Sequence, residues 1–132
     1  MPLDITITPL YRAGGQDQPS LPGLMAAVPP RQVARGRDQD RLIVHLHLAG
    51  KAVLSSGDVV QAASRAALAF YATPGTITSA LRSAAEAVND HLHDRNRQSP
   101  GQGTYAVGYL ALVAIRESEI TILLSGPMQA FV

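Results

Sequence analysis

The chain has 132 residues, of which 46% are hydrophobic and 16% charged, a composition that fits one folded domain and leaves no room for two of ordinary size. A formal charge of +1 provides no strong field, and the few aromatic residues do not interleave with basic ones, which argues against nucleic-acid binding. The absence of cysteine excludes a disulfide scaffold and thiol chemistry. No run approaches the roughly eighteen apolar residues of a membrane span, and no basic-then-apolar leader opens the sequence, so a cytoplasmic protein is expected.

Residues 1–30 hold Pro2, Pro9, Pro19, Pro22, Pro29 and Pro30 together with the flexible run from Ala13 to Gln18. Only the neighbourhood of Ile5 and Ile7 has a strand-like pattern, so residues 1–34 read as a Pro/Gly-rich arm with a possible short strand. The most charged stretch follows, with Arg31, Arg35, Arg37, Asp38 and Asp40, and reads as a solvated strand or turn. Residues 41–49 then alternate: Leu42, Val44, Leu46 and Leu48 share one face, and Ile43, His45, His47 and Ala49 the other.

Ser55, Ser56 and Asp58 offer capping oxygens for a helix to about Tyr71, with Val59, Ala63, Ala66 and Phe70 on one face and Thr73-Pro74-Gly75 as its stop. A second helix, from Thr76 or Thr78 to about Asn96, carries Ile77, Leu81, Ala84, Val88 and Leu92 at helical spacing. After a polar loop, residues 104–116 are apolar on both alternating sets, the pattern of an interior strand covered on both sides. Glu117, Ser118 and Glu119 break the run, and residues 120–124 form the return strand of a hairpin. Gly126-Pro127 ends that strand, and residues 129–132 resume an extended pattern, as if beginning a third. The order predicts an α+β fold: an antiparallel sheet with two consecutive helices on one face.

Three places in residues 35–132 resemble the N-terminal half of the PPM-type, metal-dependent serine/threonine phosphatase family. Arg37-Asp38-Gln39-Asp40 stands where that family has Arg followed by Asn-Glu-Asp, and the strand to Gly50 where it has a strand entering Asp-Gly-x-Gly-Gly. Gly103-Thr104-Tyr105-Ala106, and Ser125 with the residues to Phe131, stand where it has Gly-Thr-x-Ala and Gly-Asp-Ser-Arg-Ala-Tyr. The resemblance implies half of an α-β-β-α sandwich over residues 35–132, and manganese or magnesium held by aspartates to activate water. Against that pattern, Leu48-Ala49-Gly50-Lys51 and Gly126-Pro127-Met128-Gln129 carry no carboxylate, and the family's later Asp-Gly and Gly-Asp-Asn motifs have no counterpart in these residues. Asp38 and Asp40 remain as metal-ligand candidates, with a solvated turn as their ordinary role.

The histidines form two His-x-His pairs. His45 and His47 share a strand face and are candidate zinc or nickel ligands, whereas His91 and His93, two apart on a helix, point in different directions. Packing or an oligomer surface is the plainer role of the strand pair, and solvent exposure that of the helix pair. Gly101-Gln102-Gly103-Thr104 follows a helix instead of opening one, and therefore lacks the helix N-terminus of a phosphate loop. No serine has a histidine and carboxylate at a nucleophile spacing, so no catalytic residue is assigned.

The expectation is a non-catalytic phosphatase-like module, without cofactor, that binds protein or self-associates as a homodimer through an uncovered sheet face. The alternatives are a split metal-dependent phosphatase that borrows a C-terminal half, and a histidine-based metal-binding module.

Overall fold

A computed structural model describes residues 4–50, 56–98 and 106–132. The fold is α+β. Its element order is β1 (Tyr11–Ala13), β2 (Gln16–Gln18), β3 (Leu24–Ala26), β4 (Arg41–Gly50), α1 (Ser56–Ala72), α2 (Ile77–Arg97), β5 (Ala106–Arg116) and β6 (Glu119–Ser125). Strands β1 and β2 make a small hairpin; the other four form an antiparallel sheet in the order β3-β4-β5-β6.

Both helices lie on one face of the sheet, α1 against β4 and α2 against β5. The core joins Leu42, Val44 and Leu46 of β4 and Leu110, Leu112 and Ala114 of β5 to a helix layer rich in alanine: Ala62, Ala63 and Ala66 of α1, Ala80 and Ala84 of α2. Small side chains let the helices approach the sheet and each other, while Phe70, Tyr71, Leu81 and Val88 fill the space between layers. Each large apolar side chain buried there contributes about 1.5–3 kcal/mol. Helix α2 opens with the Thr76 hydroxyl accepting from the Ser79 amide at 3.1 Å, and Arg95 and Arg97 lie in its last turn, where cations suit the helix dipole. Asn96 pairs with the backbone of Ala106 through both amide atoms, at 2.8 and 3.1 Å, and so ties the end of α2 to the start of β5.

The segment before Pro30 differs from the expectation. Ile5 and Ile7 lie outside any strand, whereas Leu24–Ala26 joins the main sheet beside β4. Two further bonds extend that pairing, Leu46 N–H to Gly23 O at 3.0 Å and Ala27 N–H to Leu42 O at 2.9 Å. Three residues flanked by prolines are too short to show a period, so tertiary pairing decides their conformation. Gly23 has φ +81°, and a Cβ there would stand 2.7 Å from Val59 Cγ1. At the other end, residues 129–132 form no strand. Extended sequence without a pairing partner has nothing to satisfy its ladder.

The proposed cap residue Ser55, the Lys51 position, the Gly101 to Thr104 loop and the first residues of the Gly103 to Ala106 motif fall outside the described residues. No described helix is long and apolar enough to cross a membrane.

Candidate functional site

Strand β5 is interior, but among the described residues helices cover only one of its faces. Register places Val107, Tyr109, Ala111, Val113 and Ile115 of β5 on the face away from the helices, beside Ile43, His45, His47 and Ala49 of β4. Strand β6 adds Ile120, Ile122 and Leu124 to the same face, and β3 adds Leu24 and Ala26. These positions are half-buried or exposed except for Ile115: Val107 is 41% accessible, Ile120 52% and Leu124 41%. Among the described residues β5 lacks the expected second covering layer, because both helices pack on the opposite face.

Two histidines sit within this apolar face. His45 lies between Leu24 of β3 and Ala111 of β5, and His47 stacks on its cross-strand partner Tyr109 with ring centroids 5.9 Å apart. Burial, and secondarily the charge of His47, hold the His45 imidazole below the usual histidine range, so its neutral form is favoured. His45 and His47 share a face as expected, but no group of three or more His, Asp or Glu side chains able to hold a metal occurs among the described residues. His91 and His93 lie on α2, the first half-buried and the second exposed.

The charged stretch before β4 is not a solvated turn throughout. Asp38 is exposed, but Arg37 and Asp40 are 0% and 1% accessible. Arg37 Nη1 donates to Asp40 Oδ2 at 2.6 Å, and Arg116, from the far end of β5, donates through Nε to Oδ1 at 2.6 Å and through Nη2 to Oδ2 at 2.9 Å. Arg37 also donates to the carbonyl of Gly75 and lies 5.5 Å over the Phe70 ring, while the Tyr71 hydroxyl donates to the Asp40 carbonyl at 3.1 Å. This network joins the 37–40 turn, α1, the α1–α2 loop and β5. Its formation is why charged residues are buried here, since an ionised group leaves water at acceptable cost only when it is paired and hydrogen-bonded; Arg37 Nε nonetheless stays buried without a hydrogen-bond partner. The hydrogen bonds to Asp40 raise the Arg116 guanidinium still further above neutrality.

The Asp40 carboxylate thus has both oxygens engaged by guanidinium groups and faces inward, which leaves it poorly suited to bind a cation. Ala49 offers none, and neither do Pro127, Met128 and Gln129. The donor set therefore does not fit the two-metal centre that the family resemblance implies. Sequence reasoning paired Asp40 with Asp38; the partner that explains it, Arg116, is 76 positions away. The arginine beside a hairpin turn was a visible residue, but no local pattern connected the two.

A groove of about 800 Å³ lies at the foot of the sheet, where Ile5 and Ile7 approach Ala26, Pro29, Arg41 and Ile43. The N-terminal segment thereby covers part of the outer face, and Asp38 and Glu117 also line the groove. Comparison with protein-family models, with curated proteins and with solved structures gives no match.

Proposed function

We propose that this chain is a non-catalytic, phosphatase-like half-module of the cytoplasm that associates with a second copy of itself through the outer face of its sheet. The observation that carries the reading is the largely apolar surface over β4, β5 and β6, interrupted by His45, His47 and the Tyr109 hydroxyl and bounded at one end by Arg41. Isolated exposed apolar residues are ordinary, whereas a contiguous apolar sheet face calls for a cover. A second sheet is the natural one, since two such faces stack about 10 Å apart with strands roughly aligned.

Strand rise and spacing make the face about 30 Å long and about 14 Å wide over three strands. Two copies then cover about 840 Å² in projection, somewhat under the roughly 1,000 Å² of a stable specific interface, so a weak, concentration-dependent pair is expected. The face belongs to one chain and is largely apolar, with His45, whose neutral form is favoured, near its centre, so a two-fold pair matches it without a new surface. The phosphatase-like part of the reading rests on element order and on the Arg37 to Asp40 and Gly126 motifs; the non-catalytic part rests on the donor set described above.

Solution mass by light scattering, with and without manganese, tests the reading. A mass unaffected by metal and at least that of a dimer is expected, and Val113→Lys, which sets a charge between Ile43 and Ile122 on the face, should halve that mass by removing the stacked pair. Wild-type monomer at tens of micromolar, or a mass set by manganese, would overturn it.

A further inference from the structure

The two edges of the sheet are unlike. Strand β3 is three residues long with Pro22 and Pro29 close by, a short edge that discourages pairing. Strand β6 has seven residues, Glu119-Ile120-Thr121-Ile122-Leu123-Leu124-Ser125, with no proline or lysine and a charge only at its first position. Its backbone bonds run to β5, and no other backbone partner is recorded for it among the described residues.

Hairpin geometry identifies which groups are left over. Arg116 and Glu119 flank the two-residue loop Glu117-Ser118, and in such a hairpin the flanking pair exchanges hydrogen bonds. Antiparallel bonding then alternates, so Glu119, Thr121, Leu123 and Ser125 turn their N–H and C=O groups toward β5. Ile120, Ile122 and Leu124 turn theirs outward, three donors and three acceptors along an open edge.

We infer that this edge pairs antiparallel with β6 of a second copy about a two-fold axis at Ile122, joining two sheets into one of eight strands. In that register Ile122 faces Ile122 of the other copy, Ile120 faces Leu124, and Glu119 faces Ser125. All three outward residues of each copy then exchange bonds, six in total, and no like charges meet. Moving the axis by one residue to Thr121 or Leu123 lowers the number to four and leaves an outward pair unbonded. The side chains of Ile120, Ile122 and Leu124 also stay on the outer face, so the apolar surface continues unbroken from one copy to the next.

This interface is separate from face-to-face stacking and does not require it. Its two-fold runs normal to the sheet, whereas that of stacking lies parallel to it; where both operate, the closed product has four chains with dihedral symmetry.

Residue-resolved amide exchange on the full chain, run beside light scattering over a dilution series, tests the inference. The expected result is slow exchange at Ile120, Ile122 and Leu124 in the assembled sample, becoming fast on dilution to monomer, while Thr121 and Leu123 stay slow throughout. Ile122→Pro removes an outward donor without touching the ladder to β5, and should weaken association by about tenfold or more. Fast exchange at the three outward amides in an assembled sample would overturn edge pairing and leave face stacking standing. Slow exchange there in the monomer would overturn it as well, by showing the edge covered within the chain. A monomer at every concentration sinks both interfaces.

Discussion

Replacing Asp40 by Asn removes the one carboxylate that faces two guanidinium groups. Arg37 is fully buried, and its Nη1 bond to Asp40 is its ion pair; Arg116 makes two bonds to the same carboxylate. An amide returns a single oxygen and turns an NH2 group toward cations. Breaking one partner of a buried pair costs about 3–5 kcal/mol, because the remaining charge keeps its desolvation penalty. Arg116 is 36% accessible and can recover water, so most of the cost belongs to Arg37. For a domain with total stability of about 5–15 kcal/mol this is a large fraction, equivalent to a fall in Tm of about 10–18 °C at this chain length. Urea unfolding of Asp40→Asn, of Arg37→Met and of the double variant measures it. The double variant should lose less than the sum of the singles, since it removes the stranded cation along with its partner. A loss under about 1 kcal/mol for Asp40→Asn, combined with abolition of a manganese-dependent rise in Tm, would refute the structural role and restore Asp40 as a metal ligand.

Three further outcomes are expected. Glu117 has φ +52° at the first loop position of the β5–β6 hairpin, so Glu117→Gly should stabilise the fold by about 1 kcal/mol in urea unfolding. Gly23→Ala should destabilise it by about 3 kcal/mol, because φ is +81° and the added methyl meets Val59 and the Leu46 carbonyl at the β3–β4 junction; a neutral result would show that β3 is loosely held. The folded-state pKa of His45 is depressed below its unfolded value of 6.5, so its neutral form is the one the fold accommodates. The unfolded chain therefore takes up the proton first, and the His45 contribution to stability is constant above about pH 6.5 but declines as pH falls through that value. His45→Leu should flatten this slope, measured as the urea midpoint between pH 8 and pH 5; a midpoint that rises on acidification contradicts the sign.

Helices and long strands were legible because their signals are local. Ile77, Leu81, Ala84, Val88 and Leu92 recur at the helical period, and four of the five are buried in α2. The alternation of Leu42, Val44 and Leu46 against Ile43, His45 and His47 separated the two faces of β4 before any partner was known, so both histidines of the candidate site were placed on one face correctly. The leucine-bearing face of β4 was legible as a core face, but in β5, apolar on both alternating sets, which face the helices would cover is not a local property. It follows from packing, since the face carrying Leu42, Val44, Leu46, Leu110 and Leu112 takes the alanine-rich helices and thereby leaves the β-branched face of β5 open. The same holds for β3, three residues with no period that become a strand only beside β4, and for residues 129–132, extended in pattern yet unpaired. Most clearly it holds for Asp40. Its neighbours in sequence are polar and charged, which marked the stretch as solvated, and only the return of β5 brings Arg116, 76 positions away, close enough to compensate the burial. Periodicity is written into consecutive residues; the burial of a charge depends on a partner that only the folded chain brings into reach.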